Sequence, residues 1–286
     1  MRLVRLVMIG CLVFSAQAGA QTLYGTTHQG SSPSEFVQLD PATGALIATI
    51  GSVGYAVNGM AWDATTNTLY ATTSTNDPSF PDGLITIDPA TGAGTPVGSG
   101  AGQFVNVPTC NSAGVLYGWT EATDDPVLWD KAAGTITVIG DSGLDTMQQG
   151  LAFDSSDVLH LVNGGDTVNG NATIYTIDTT TAQPTLVGTV GPLPYGLAHH
   201  GKFNPADGYY YGIDRNPYYD TTGYNIVVID VASLSIVRTL PTVDRLHTLV
   251  FVGGAALPIP DLSGTGMALM VLLLAGATIL VVRRFS

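Results

Sequence analysis

A hydrophobic residue followed by aspartate returns at near-equal intervals: Leu39-Asp40, Ile87-Asp88, Trp129-Asp130, Ile177-Asp178 and Ile229-Asp230, with steps of 48, 42, 48 and 52 residues between the aspartates. A period of this size points to a repeat architecture, because one such unit cannot bury its apolar face alone. Two further series keep the same rhythm. Leu23-Tyr24, Leu69-Tyr70, Leu116-Tyr117, Leu159-His160 and Tyr210-Tyr211 precede the aspartates. Asn58 to Asp63, Asn106 to Asn111, Gln149 to Asp154 and Tyr195 to His200 open the units. The first unit lacks this opening piece, and a copy stands after the last unit as His247 to Val252.

Each unit reads as four short strands. In the second unit they fall at 59–62, 68–72, 84–87 and 94–97. Asp63-Ala64-Thr65-Thr66-Asn67 turns the first pair and Asp88-Pro89-Ala90-Thr91-Gly92 the last. Proline presets φ in that second turn and glycine accepts the positive φ that ends it. Asp40-Pro41-Ala42-Thr43-Gly44 repeats it in the first unit. Four strands per unit of roughly 40–50 residues predict an all-β chain folded as a β-propeller. Residues 21–254 have room for five four-stranded blades; six would need a degenerate unit. The displaced strand at His247 to Val252 completes the first blade, so the C-terminal strand closes the ring and removes its open edge. An open two-sheet sandwich, the alternative, leaves the spacing and the displaced strand unexplained.

These Asp-Pro-x-Thr-Gly turns and strands resemble the repeats of bacterial secreted propellers of the quinoprotein-like, NHL-like and YVTN types. The resemblance covers nearly all of 21–254. It implies an architecture rather than an activity, because turn chemistry is shared by propellers of many functions.

The two ends read as addresses. Arg2 and Arg5, an apolar run from Leu6 to Phe14 and the small residues Ala18-Gly19-Ala20 make residues 1–20 a signal peptide, cleaved before Gln21. A lipoprotein reading around Cys11 is disfavoured, because the apolar run before it is short and continues past it. At the other end, Ile259-Pro260-Asp261-Leu262-Ser263 precedes an apolar run from Met267 to Val282, and Arg283-Arg284 follow. This order resembles the C-terminal sorting signals that exosortase-type membrane enzymes read in diderm bacteria, closest to the Ile-Pro-Thr-Leu variety. Asp261 stands where that motif has threonine, Gly264 where it has glutamate and Thr265 where it has tryptophan. The resemblance implies that 255–286 is a sorting signal and transmembrane segment, handled by a processing enzyme, with Arg283 and Arg284 on the cytoplasmic side. A plain membrane anchor is the alternative; the run has 16 residues, short of the ~20 that span a bilayer. On either reading the folded part is exported, to the cell surface, the outer membrane or the medium.

Composition removes other classes. Lys and Arg number 9 against 22 Asp and Glu, a net charge of −13, so phosphate backbones would be repelled and no nucleic-acid partner is expected. If Cys11 leaves with the leader, Cys110 is alone and no internal disulfide forms. Its apolar strand context predicts an inert buried thiol.

Candidate chemistry is sparse. Propeller sites gather where inner strands line the channel, and the repeat register places Asn58, Asn106, Gln149, Tyr195 and His247 immediately before those strands. All five are polar, so they form a candidate ligand-binding ring, or simply solvate a narrow mouth. The ring holds no carboxylate; Glu35 and Glu121, the only glutamates, fall off the inner strands. No pair of acids for glycoside hydrolysis, nucleophile elbow or zinc helix is present, and no catalytic residue is assigned. His199 and His200 are adjacent, so strand alternation predicts one buried and one exposed. The many aspartates read as turn residues. Calcium is the only metal to consider, at Asp124-Asp125 or along Asp166 to Asn171, and neither loop has EF-hand spacing. Arg215 with Tyr218 and Tyr219 forms a second candidate, a loop offering flat apolar faces and hydrogen bonds to a sugar or protein.

The reading that follows is an exported propeller acting as a binding or structural surface protein, leaning away from enzymatic activity. Its partner would be an extracellular protein or glycan. The alternative is an extracellular hydrolase or lyase acting on a carbohydrate or lactone at the channel mouth.

Overall fold

The computed structural model describes residues 21–27, 31–166, 170–193, 198–215 and 223–253. Twenty strands form five four-stranded antiparallel sheets, and among the described residues there is no helix. The first three strands are β1 (Thr22–Thr27), β2 (Glu35–Leu39) and β3 (Leu46–Ser52). The second sheet is β4 (Val57–Asp63), β5 (Thr68–Thr73), β6 (Leu84–Ile87) and β7 (Gly94–Val97). The third is β8 (Val105–Cys110), β9 (Leu116–Thr120), β10 (Pro126–Trp129) and β11 (Ile136–Val138). The fourth is β12 (Gln149–Phe153), β13 (Leu159–Asp166), β14 (Asn171–Ile177) and β15 (Pro184–Val190). The fifth is β16 (His199–Phe203), β17 (Tyr210–Asp214), β18 (Asn225–Asp230) and β19 (Ser235–Pro241), and β20 (Leu246–Val252) ends the series.

β20 joins the first sheet, in the order β20-β1-β2-β3, with Thr22 opposite Val252 and Gly25 opposite Leu249. The chain is therefore a five-bladed β-propeller closed by its last described strand, and the sandwich and six-blade alternatives are set aside. β20, β4, β8, β12 and β16 are innermost, and each touches the next around the ring. They are buried along nearly their whole length, whereas the outermost strands alternate toward water. Packing is tight beside the inner strands: a Cβ on Gly150 would stand 1.9 Å from the Tyr210 hydroxyl.

The repeated aspartates hold the outer turns. Asp40, Asp88, Asp130, Asp178 and Asp230 each accept a backbone N–H from two residues on through Oδ1. At Gly44 and Gly92 the chain leaves the turn with φ of 75° and 79°, which glycine takes without strain. All five carboxyls sit below the usual aspartate range. Backbone N–H bonds are the main cause at the first four, led by Ala42, Ala90, Ala133 and Thr180; at Asp230 it is the Ser233 hydroxyl.

Between the second and third blades, Lys131 on the turn after β10 reaches Asp63 at the end of β4, with Nζ to Oδ2 at 2.7 Å. Cys110 is half-buried rather than buried as expected, and the burial it has pushes its thiol up to about 12. Residues 1–20 and 254–286, with the sorting motif and the 267–282 run, lie outside the described residues. No helix among the described residues is long and apolar enough to cross a membrane.

Candidate functional site

The polar ring sits where the inner strands begin. Asn58, Asn106 and His247 are the second residues of β4, β8 and β20, and Gln149 is the first of β12. Each stands five residues before the first residue of the following turn or the strand end: Asp63, Asn111, Asp154 and Val252. In the fifth sheet that offset leads from Asn204 back to His199, the first residue of β16. Tyr195 lies outside the described residues, and His199 takes the ring position the repeat register had given it. The sequence alignment of that unit slips by four residues because Gly196-Leu197-Ala198 imitates Gly59-Met60-Ala61.

The same strand overturns the expected split of the histidine pair. His199 and His200 are both buried, at 0% and 4% exposure. The ladder of β16 shifts between His199 and Lys202, and His200 has a φ of 48°, so strict alternation fails there. Similar irregularities occur near the ring residues of β4, β8 and β20. Bulges of this kind re-aim side chains. Here they help to bring three imidazoles together: the His200 ring centroid is 4.6 Å from that of His199 and 4.5 Å from that of His247.

The side chains are joined in a circle of hydrogen bonds. His247 Nε2 lies 3.1 Å from Asn58 Oδ1, and Asn58 Nδ2 donates to Asn106 Oδ1 at 2.5 Å. Asn106 Nδ2 donates to Glu121 Oε1 at 2.9 Å, and Gln149 Nε2 donates to the same oxygen at 3.2 Å. Beside Gln149, Gln148 Oε1 accepts from Arg215 Nη2 at 3.2 Å, and Arg215 Nε donates to His199 Nε2 at 3.2 Å. His200 Nδ1 donates to the His247 carbonyl at 2.9 Å and completes the circle. Every blade is tied to both neighbours at this level. Glu121 is a functional candidate that sequence reading missed. It follows β9 on a loop, and no repeat position marks it.

Protonation follows from these contacts. His199 Nε2 accepts from Arg215, which puts its proton on Nδ1; His200 donates from Nδ1, which leaves its Nε2 without one. Burial first, with Arg215 and neighbouring histidines adding to it, holds both imidazoles well below the usual histidine range. They are neutral at pH 7. Gln149 Oε1 and His199 Nδ1 are buried with no hydrogen-bond partner among the described residues. Deeper in the ring, Lys202 Nζ donates to the Leu151 carbonyl at 2.8 Å, and burial pulls its pKa down to about 7.

A cavity of about 310 Å³ opens over the ring, lined by Asn58, Asn106, Glu121, His200, Arg215 and His247, with Phe104, Thr146, Met147 and Gln148 at its walls. Arg215 thus belongs to the channel mouth rather than to a separate surface loop. Tyr218 and Tyr219 lie outside the described residues. Among the described residues no group of three or more His, Cys, Asp or Glu is arranged to hold a metal ion. The carboxylates of the first calcium candidate are engaged internally, Asp124 by the Thr146 hydroxyl and Asp125 by the Ser142 N–H. Of the second candidate, 167–169 lie outside the described residues.

No family model and no curated protein matches the chain. Solved structures do match. A chain in a nidogen/laminin complex aligns over 82% of this chain and 98% of its own, with 13% identity and a TM-score of 0.52. A chain from work on the de novo evolutionary emergence of a symmetrical protein aligns over 81% and 98%, with 15% identity and a TM-score of 0.50. A gluconolactonase of Xanthomonas campestris aligns over 83% and 84%, with 14% identity and a TM-score of 0.49. At these identities the likeness is one of fold. The chain is a five-bladed propeller whose structural neighbours differ widely in function.

Proposed function

We propose that this protein is an exported binding propeller that captures an extracellular ligand, a small polar molecule or the end of a glycan, at its channel mouth. One observation carries the reading: the cavity floor is a set of buried amides and imidazoles fixed in place by a closed circle of hydrogen bonds. Such preorganisation lowers the ordering cost of binding. The cavity lies at the small end of the roughly 300–1,000 Å³ typical of ligand pockets. Export rests on the leader-like residues 1–20 and the sorting-signal order in 255–286, which support a protein at the cell surface, in the outer membrane or in the medium of a diderm bacterium.

A thermal-shift screen of saccharides, calcium and other divalent metals tests the site. A compound that binds only the folded state stabilises it by about 2.7 kcal/mol at a hundred times its Kd. The shift should disappear on Met147→Trp, which fills the cavity from an exposed wall and leaves the circle intact. A shift that survives this substitution puts the ligand elsewhere. No shift with any compound leaves a purely structural surface role.

A hydrolase or lyase acting on a carbohydrate or lactone is the second reading, favoured by unprotonated His200 Nε2 and carboxylate-bearing Glu121 lining one cavity. It predicts turnover that His200→Gln abolishes while ligand still binds.

A further inference from the structure

The channel mouth places a guanidinium and a carboxylate on the walls of one cavity, without an ion pair between them among the described residues. All acids but Asp261 fall within residues 21–253, whereas only Lys131, Lys202, Arg215, Arg238 and Arg245 supply positive charge there. In so acidic a chain a cation should find a carboxylate. Lys131 and Arg238 do, at Asp63 and Asp207. Arg215 does not take part in the ion pairs among the described residues. Its contacts there are the neutral Gln148 and a neutral imidazole, and they fix the guanidinium at the cavity wall. Lys202, further along β16, is buried on the Leu151 carbonyl and does not line the cavity.

We infer that the channel mouth binds a hydroxylated carboxylic acid of sugar size, a uronic-acid unit, with its carboxylate on Arg215. The assignment rests on the binding reading above and names the chemical class of its ligand. A guanidinium held by two neutral acceptors keeps N–H groups for a carboxylate, and a carboxylate is the group it matches in planar geometry. Glu121 and the amides beside it are suited to hydroxyls rather than to a second negative charge. Phe104 supplies an apolar wall for the carbon face of a sugar ring. Charges on the outer surface are screened beyond a Debye length of about 8 Å, so inside the mouth the nearest charges are the Arg215 guanidinium on one wall and the Glu121 carboxylate on another. An extended polyanion would still meet the acidic rim. The ligand is therefore a monomer or a chain end.

Calorimetric titration of the purified protein with galacturonate, galactose and inorganic phosphate, at matched ionic strength, tests this. Galacturonate should bind about tenfold or more tightly than galactose, the effect of one charge-assisted contact. Arg215→Gln should erase that preference, and Arg215→Lys should restore part of it. Raising the salt should weaken galacturonate and leave galactose unchanged. Equal affinity for the acid and the neutral sugar overturns the carboxylate assignment and leaves the binding site standing. Equal affinity for phosphate and galacturonate overturns the sugar part. Failure of all three probes overturns the inference, and the broader screen with Met147→Trp then decides separately whether the mouth binds anything. The comparison of acid with neutral sugar on the unmodified protein stands even if the Arg215 variants fail to fold.

Discussion

Lys131→Met isolates the charge that links the second and third blades. Asp63 is fully buried, and Lys131 keeps part of its side chain in water. Besides Lys131, the carboxylate accepts the Thr65 N–H and hydroxyl and the Thr66 hydroxyl, at 2.9, 2.6 and 2.8 Å. Burial alone would raise its pKa, but the Lys131 contact and those hydrogen bonds outweigh burial and bring it from 3.8 down to about 2. That shift is worth about 2 kcal/mol of folding free energy at neutral pH. The figure lies between the ~0–1 kcal/mol of an exposed pair and the ~3–5 kcal/mol lost when a wholly buried pair is broken. The threonine hydrogen bonds supply part of that shift and survive the substitution, so Lys131→Met removes only the lysine's share, about 1–2 kcal/mol. Lys131 also donates to the Gly114 carbonyl at 2.6 Å, a smaller loss on the same substitution. The folded-state pKa is depressed, so the contribution is complete above the unfolded value of 3.8 and fades as the pH falls toward 2. Urea unfolding of both proteins across pH 7 to 2 reads the difference directly. The gap should hold near about 1–2 kcal/mol down to about pH 5 and narrow below pH 4. A gap under ~0.5 kcal/mol at pH 7, typical of ordinary surface changes, would refute the reasoning, as would a gap that stays constant through pH 2.

Gly150→Ala should destabilise the ring by about 3 kcal/mol, since the new methyl meets the Tyr210 hydroxyl, itself fixed by the Ala198 carbonyl at 2.9 Å and the Gly201 N–H at 3.2 Å. Thermal unfolding checks it, and an unchanged melting temperature would mean the inner strands are less tightly apposed. Lys202→Met should stabilise the protein at pH 7 by about 2 kcal/mol or more, because burial takes the lysine from 10.5 to about 7. Between those values the unfolded chain holds a proton the folded one lacks, so wild-type stability should rise with pH over that range and the variant should lose this slope. Equal slopes in the two proteins would place the ammonium in contact with water.

The repeat, the turn chemistry and the displaced strand at His247 to Val252 were sufficient to specify a five-bladed propeller closed by its C-terminal strand. That information is local. A blade is set by where aspartate and glycine turn the chain and by which positions are apolar, and both recur at a fixed period. The same register located four of the ring residues, Asn58, Asn106, Gln149 and His247, because a position repeated in every blade maps to one height in the channel. What broke the period was invisible to it. The irregularity at His200 buries both adjacent histidines, and the imitation of Gly59-Met60-Ala61 by Gly196-Leu197-Ala198 hides His199 as the fifth sheet's ring position; a periodic pattern cannot report its own slip. Glu121 and Arg215 come from loops after the second strands of their blades, 15 residues beyond Asn106 and 16 beyond His199. They become part of the site only when ring closure brings separate blades together, which is why the charge of the channel mouth is a property of the tertiary structure.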